Sequence, residues 1–195
     1  MENSNLTYNY IKLNSPSNEF EELSHLHKKI LDNSIVSNMN KSDLAQFYKL
    51  SLKNELIKVI VVKDKSNIIG SISYSYRNIT SILFKLDFLK ILSLLSKSIL
   101  RQPVDSIFKL FNRFKTYAFV NSGTNIPFLF ISDKYRNKNI GTNLLMMVKN
   151  EIIDTLSVDT STNNDIAISF YLSNDFQIKR KNNNITLFTF HHTEN

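Results

Sequence analysis

The residues with the clearest chemical potential lie between Pro127 and Val148, in the run PFLFISDKYRNKNIGTNLLMMV. A short apolar segment ending at Ile131 predicts a buried strand, and the polar, basic residues Arg136 to Gly141 predict a turn. From Thr142 onward, the spacing of the Leu and Val side chains predicts an amphipathic helix. The first turn of a helix exposes backbone N–H groups that lack intrahelical acceptors, and it carries partial positive charge. This order of elements therefore favours binding of a phosphate or pyrophosphate.

Upstream of this run, short strands and helices are predicted to position it. The residues from Leu6 to Leu13 alternate as a strand, and the apolar spacing from Phe20 to Leu31 predicts a helix. Ser42 is a candidate N-cap for a second helix. β-rich runs at 56–62 and 67–76 predict a hairpin. Residues 81–114 are rich in Leu, Ile and Phe with dispersed Lys and Arg, and they predict two helices separated at Pro103.

Downstream of the run, the pattern predicts short strands and one more helix. The strands are expected near 156–158, 176–179 and 185–190, and the helix over 164–172, with a turn at 181–184. No internal repeat is evident. We therefore expect residues 1–195 to form a single domain, which is long enough to bury a core.

Composition narrows the class of protein. The hydrophobic content of 42% and the charged content of 21% are typical of soluble globular proteins. A formal net charge of +7 favours anionic partners, such as a phosphorylated cofactor, a nucleotide sugar, an acidic lipid or a nucleic acid, without choosing among them. The chain has no cysteine, which excludes disulfides, thiolate metal ligands and a cysteine nucleophile. The polar N-terminal residues contain no apolar signal core, so we expect a cytoplasmic location.

Three motifs in this order resemble the GNAT superfamily of N-acetyltransferases. The segment RNKNIG at Arg136 to Gly141 is similar to the family's pyrophosphate loop. The segment NDIAISFY from Asn164 to Tyr171 resembles the family's Asn-x-x-Ala-x-x-Phe-Tyr helix, and Asn174 to Phe176 stand where relatives commonly have Gly-Phe before the next strand. The resemblance implies an α/β (α+β) fold, with a mixed, mostly antiparallel twisted sheet of six to seven strands flanked by helices. The 81–114 segment would be a helical insertion.

The resemblance also implies a reaction and its site residues. Acetyl-CoA would be the co-substrate, and an amine of an unidentified acceptor would attack its thioester directly. Tyr171 would protonate the departing thiolate, with burial in the core as its alternative role. Asn164 would hydrogen-bond the pantetheine arm or cap its helix, and backbone groups of Phe130 and Ile131 would hold pantetheine. The pyrophosphate would be bound by a continuous set of residues, namely Arg136, Asn137, Lys138, Asn139, Ile140, Gly141 and Thr142.

At several positions where relatives have glycine, this sequence carries residues that can adopt the same backbone conformation. Asn137, Asn139 and Asp175 stand where many relatives have glycine, and Asn and Asp are the non-glycine residues that best tolerate positive φ. We expect the backbone path to survive these replacements. Asn125 occupies the position where related enzymes often carry a glutamate, and an amide side chain cannot accept a proton at neutral pH. Deprotonation of the acceptor would then need water, an already neutral amine or a remote carboxylate; candidates are Glu19, Glu21, Glu22 and Asp87.

The role of the 81–114 insertion stays open between three functions. Its charged residues argue against a membrane-spanning helix, which leaves a lid over the acceptor cleft, a dimer contact or contact with an anionic membrane surface. The alternative to an enzyme is a non-catalytic module of the same fold that acts at a membrane surface or on a protein partner. We expect no nucleic-acid binding, because no aromatic platform accompanies the basic residues, and the sequence does not predict the oligomeric state.

The histidine residues do not predict a metal site. His25 and His27 are two residues apart on a predicted helix, so their side chains diverge. We expect them at the surface or at the acceptor cleft. His191 and His192 lack a surrounding carboxylate or cysteine pattern, and no metal is therefore expected.

Overall fold

A computed structural model describes residues 6–31, 36–75 and 123–192, together with residues 90, 93, 94, 96 and 100. Seven strands form one sheet: β1 (Leu6–Ile11), β2 (Lys58–Asp64), β3 (Asn67–Ser75), β4 (Thr124–Ile131), β5 (Leu156–Ser161), β6 (Gln177–Lys181) and β7 (Ile185–Phe190). In the ranges 6–31, 36–75 and 123–192, four helices flank it: α1 (Ser17–Ile30), α2 (Lys41–Lys53), α3 (Ile140–Glu151) and α4 (Asp165–Leu172). Short 3-10 helices span Val36–Asn38 and Asp133–Tyr135. The predicted fold class is confirmed.

The strand order is β1-β2-β3-β4-β5-β7-β6. Every neighbouring pair is antiparallel except β4 and β5, which are parallel. That parallel pair has only two register positions, Thr124 with Leu156 and Asn125 with Ser157. Beyond them the two strands separate, and we call the resulting gap, bordered by residues 126–131 and 158–161, the β4–β5 opening.

The helices lie on the two faces of the sheet. On the α1–α2 face, Phe20, Leu23, Leu44 and Tyr48 pack against alternate strand residues in one buried cluster. On the α3–α4 face, a second buried cluster joins four α3 side chains (Ile140, Leu144, Leu145 and Val148) to Tyr171 of α4 and to the other strand residues. Each fully buried aliphatic side chain contributes about 1.5–3 kcal/mol. The second cluster fixes α3 and α4 beside the β4–β5 opening.

Two helix starts differ from the sequence prediction. The cap of α2 is Asn40, whose Oδ1 accepts a hydrogen bond from Asp43 N at 2.7 Å, so Ser42 already lies inside the helix. Helix α3 begins at Ile140, two residues before the predicted start, because Asn139 adopts a left-handed conformation and directs the chain into the helix. The strands also shift by one to three residues at several ends.

The 81–114 insertion lies outside the described residues except at five positions, all helical. Of these, Leu94 is buried, and it packs in the α1–α2 cluster that includes Phe128 and Phe130. Leu100 is exposed. In the described part of the chain, none of the helices combines the length and apolar character that crossing a bilayer requires.

Candidate active site

Strand β4 contains a bulge at the closed end of the β4–β5 opening. Ser73 of β3 pairs with Phe128, but Ser75 pairs with Asn125, so β4 carries one extra residue between these pairs. Pro127 lies in this bulge and has no N–H to donate to a ladder. The extra residue turns the Ile126 side chain to the α3–α4 face while Phe128 stays on the α1–α2 face. Bulges of this kind re-aim side chains and end pairing beside functional sites.

The open edge of β4 offers backbone groups to a ligand. Ser132 N donates to Ile69 O at 2.7 Å, so Ser132 faces β3. Since successive residues of a strand point their amides to opposite edges, Phe130 also faces β3, whereas Leu129 and Ile131 face the opening. Of the two predicted pantetheine residues, Ile131 thus has its backbone groups at the opening and Phe130 does not. Leu129 was not predicted, although its two-residue spacing from Ile131 was the available signal.

The loop before α3 has the backbone conformation that the asparagines predicted. Asn137 and Asn139 both have φ of 58°, and Asp175, the third such position, has φ of 65°. Asn139 is the N-cap of α3, but its side chain makes no capping hydrogen bond. The first-turn N–H groups of Ile140, Gly141 and Thr142 therefore lack a side-chain cap, as an anion-binding helix start requires.

Two cations flank this loop in exposed positions. Arg136 bonds Asp133 at 2.9 Å, with both side chains largely exposed, and Lys138 Nζ lies 5.2 Å from the centre of the Tyr135 ring. An exposed ion pair of this kind contributes little to stability. Both cations thus lie where a phosphate at the α3 N-terminus would meet them.

Gly141 allows α3 and α4 to approach each other. A Cβ atom at this position would lie 3.2 Å from Phe170 Cε2 and 4.0 Å from Ile131 Cγ1. Gly141 therefore lies between the Phe170 ring of α4 and the end of β4. The start of α3, helix α4 and the end of β4 thus meet at Gly141.

Tyr171 lies in an aromatic cluster on the α3–α4 face. Its ring centre is 5.2 Å from that of Phe170, 5.6 Å from Phe176 and 5.5 Å from Phe188, and the residue is 6% exposed. Burial raises the pKa of the Tyr171 phenol, and the nearby charge of Asp159 raises it further. Within the described ranges, no group hydrogen-bonds its hydroxyl. Tyr171 thus remains protonated at neutral pH and has a donor available for a ligand.

Asn164 was predicted to cap its helix or to contact the pantetheine arm, and the structure shows it as the N-cap of α4. Its Oδ1 accepts a hydrogen bond from Ala167 N at 3.1 Å, and its Nδ2 lies 3.4 Å from Thr160 Oγ1. The residue is exposed at the end of β5. Its cap is confirmed, and its contact with pantetheine stays a prediction.

The residues considered for proton removal have other contacts. Asn125 Nδ2 lies 3.3 Å from both the carbonyl oxygen and Oγ of Ser157. Glu19 pairs with Lys63 at 2.5 Å, and Glu22 accepts from Ile68 N at 2.7 Å, so both fasten α1 to the sheet. Glu21 is exposed, and Asp87 lies outside the described residues.

The expectation for His27 was wrong. The residue is fully buried, and its Nδ1 shares a 2.6 Å hydrogen bond with the Tyr48 hydroxyl. Burial, assisted by the charge of Lys28, lowers the pKa of His27 to about 3. In the described part of the chain, no three His, Cys, Asp or Glu side chains form a group that could hold a metal ion.

Comparison with known proteins identifies solved structures with a similar fold. No protein-family model matches the sequence, and no curated protein matches it. The PaiA N-acetyltransferase of Thermoplasma acidophilum, solved with coenzyme A, is 13% identical with a TM-score of 0.59, and the match covers 96% of this chain and 99% of that one. Arabidopsis thaliana NAA60, solved with acetyl-CoA, is 16% identical with a TM-score of 0.58 and coverages of 95% and 97%. An N-acetyltransferase of Staphylococcus aureus Mu50 is 11% identical with a TM-score of 0.60 and coverages of 96% and 99%.

Proposed function

Since the chain has the fold of the GNAT N-acetyltransferases, we propose that it transfers the acetyl group of acetyl-CoA to a primary amine by direct attack in a ternary complex. The observation that carries this proposal is the convergence of three features on the β4–β5 opening: the β4 bulge, the uncapped start of α3, and the Tyr171 phenol. Coenzyme A needs an anion site, an edge for its amide-bearing arm and a partner for its sulfur. The start of α3 is suited to the first need, the open edge of β4 beyond the bulge to the second, and the Tyr171 phenol to the third.

The pyrophosphate is assigned to the residues from Asn137 to Thr142. Their backbone donors form a preorganised site, because the left-handed asparagines hold the loop in place without a bound anion. Arg136 and Lys138 add positive charge, and the Thr142 hydroxyl adds a donor. The pantetheine arm pairs with the open edge of β4, where Leu129 and Ile131 present their backbone groups.

The transfer step needs few protein groups. The neutral amine forms a bond to the acetyl carbon, the C–S bond breaks, and the thiolate receives the proton of the Tyr171 hydroxyl. The amine nitrogen then gives up its remaining surplus proton, which restores the phenol. Tyr171 is suited to this role because its raised pKa keeps it protonated at neutral pH.

A titration and a turnover assay test the proposal together. Isothermal titration with acetyl-CoA and with CoA is expected to give micromolar binding. CoA release from acetyl-CoA is then measured with a thiol reagent in the presence of spermidine, glucosamine or an alanine tripeptide. Because the protein contains no cysteine, the thiol signal comes from CoA alone. An absence of heat with both CoA forms would overturn the proposal.

A non-catalytic module of the same fold is the second candidate, favoured by the amide of Asn125 at the position where a carboxylate would accept a proton. It predicts CoA binding without thiol release with any amine. Sedimentation with anionic vesicles, compared between the full chain and a variant with neutral residues at the Lys and Arg positions of 81–114, tests the membrane form of this candidate.

A further inference from the structure

We propose that Asp159 binds the ammonium group of the acceptor, so that the acceptor is a cationic primary amine that reaches the β4 bulge from the α1–α2 face. The inference rests on the proposed acetyl transfer and gives it a substrate class. No sequence motif includes Asp159, and only the strand register shows that it lies opposite the β4 bulge.

The register places Asp159 across from the bulge. The last pair of the β4–β5 ladder joins Asn125 to Ser157. Continuing this parallel register by two residues sets Asp159 opposite Pro127, where the strands have already separated. Asp159 therefore borders the β4–β5 opening at its closed end and is partly exposed there.

The side chain of Asp159 points to the α1–α2 face. Leu156 and Val158 are buried in the cluster of the α3–α4 face, and side chains alternate along a strand. Ser157 accordingly points to the other face, where its hydroxyl lies 3.3 Å from Asn125 Nδ2. Asp159 follows Ser157 on that same face.

Asp159 and Tyr171 thus border one opening from opposite faces of the sheet. The Tyr171 ring packs on Phe188 with 5.5 Å between ring centres, and Phe188 pairs with Val158, the residue directly before Asp159. A nucleophile approaches a thioester carbonyl on a side away from the departing sulfur. With the sulfur beside Tyr171 on the α3–α4 face, the amine would arrive from the α1–α2 face, past Asp159.

The chemistry of the carboxylate selects the acceptor. An alkyl amine with a pKa of about 10.4 is protonated at neutral pH, and a carboxylate attracts and hydrogen-bonds this cation. Before attack the ammonium releases one proton to water; the second proton leaves the nitrogen after the C–N bond forms, as described above. Asn125 carries no charge and cannot attract an ammonium group in this way. Among the described residues at the closed end of the β4–β5 opening, Asp159 carries the carboxylate.

The experiment compares Asp159→Asn with Asp154→Asn, a control that removes the same charge from an exposed residue just before β5. For whichever of spermidine, glucosamine or the alanine tripeptide the wild type acetylates fastest, Asp159→Asn is expected to raise the amine KM at least tenfold with kcat changed less than threefold. The Kd of CoA should stay within twofold of wild type in both variants. Asp159→Glu should restore part of the KM, because it restores the charge.

Each outcome has a distinct meaning. An unchanged amine KM in Asp159→Asn, or an equal rise in Asp154→Asn, overturns the role of Asp159 and leaves the acetyltransferase proposal intact. A rise in the CoA Kd of Asp159→Asn equal to the rise in amine KM also overturns it, because the residue would then support the cofactor site. If the wild type binds CoA but acetylates none of the three amines, the proposed function and this inference fail together.

Discussion

Tyr48 and Tyr171 are both buried phenols, but they lie on opposite faces of the sheet and their hydroxyl groups have different surroundings. Tyr48 is 0% exposed, and its hydroxyl shares a hydrogen bond with His27 Nδ1. Tyr171 is 6% exposed, and within the described ranges its hydroxyl has no hydrogen-bond partner. The Tyr48 hydroxyl is thus paired inside the fold, whereas the Tyr171 hydroxyl keeps its donor for the proposed reaction.

The largest expected effect of this difference is on catalysis. Tyr171→Phe removes the proposed proton donor and should lower kcat by about 10²- to 10⁴-fold, the usual contribution of a positioned acid. It should leave the melting temperature within about 2 °C of wild type, because the Tyr171 hydroxyl has no hydrogen-bond partner among the described residues. Each kcal/mol of stability shifts the midpoint by about 2–4 °C in a protein of this size. Thiol-release kinetics and a thermal melt measure both quantities. Turnover within twofold of wild type would return Tyr171 to a packing role alone.

The second effect is a loss of stability in mild acid. The folded pKa of His27 is about 3, below the unfolded value of about 6.5. The stabilising effect of a neutral His27 is therefore complete above pH 6.5 and is lost as the pH falls towards 3, because only the unfolded chain binds the proton in that window. At pH 5 the loss is about 2 kcal/mol, before most carboxyl groups titrate.

Thermal melts between pH 7.5 and 5 in His25→Gln and His27→Gln separate this effect from others. His25 is exposed, so its variant should follow the wild-type profile. His27→Gln should start from a lower melting temperature and show a flatter profile. A wild-type slope that persists in His27→Gln would assign the acid sensitivity to other groups.

The third effect is the structural counterpart of the first. Tyr48→Phe removes the partner of a buried imidazole nitrogen and should destabilise the fold by about 1–3 kcal/mol. Its kcat at 20 °C, where the protein is still folded, should stay within twofold of wild type. A large fall in kcat in the fully folded variant would mean that the hydrogen-bonded pair of His27 and Tyr48 takes part in the reaction. The two phenols would then no longer differ in role.

The sequence predicted the parts of the site that local chemistry determines. The residue type of Asn137 and Asn139 predicted their positive φ. The order of the motifs along the chain predicted the succession of strand, loop and helix. The position of Asp159 beside the opening could not be predicted, because it depends on a two-residue parallel ladder and on a bulge formed with a distant strand. His27 was missed although a signal existed: it lies seven residues after Phe20 and four after Leu23, on the apolar stripe of α1. The expectation that a histidine is polar took precedence over its spacing.

The smallest expected effect concerns two asparagines that cap helices on opposite faces of the sheet, Asn40 at α2 and Asn164 at α4. Asn40→Ala and Asn164→Ala each remove a side-chain cap and should cost about 1 kcal/mol, or about 2–4 °C in melting temperature. Only Asn164 lies beside the β4–β5 opening, and its amide nitrogen has a single long contact, with Thr160 Oγ1 at 3.4 Å. Asn164→Ala should therefore raise the Kd of CoA by about two- to tenfold, the value of one hydrogen bond, while Asn40→Ala leaves it unchanged. Equal CoA affinity in the two variants, at equal loss of stability, would mean that Asn164 only caps its helix. The pantetheine arm would then be held by the open edge of β4 alone.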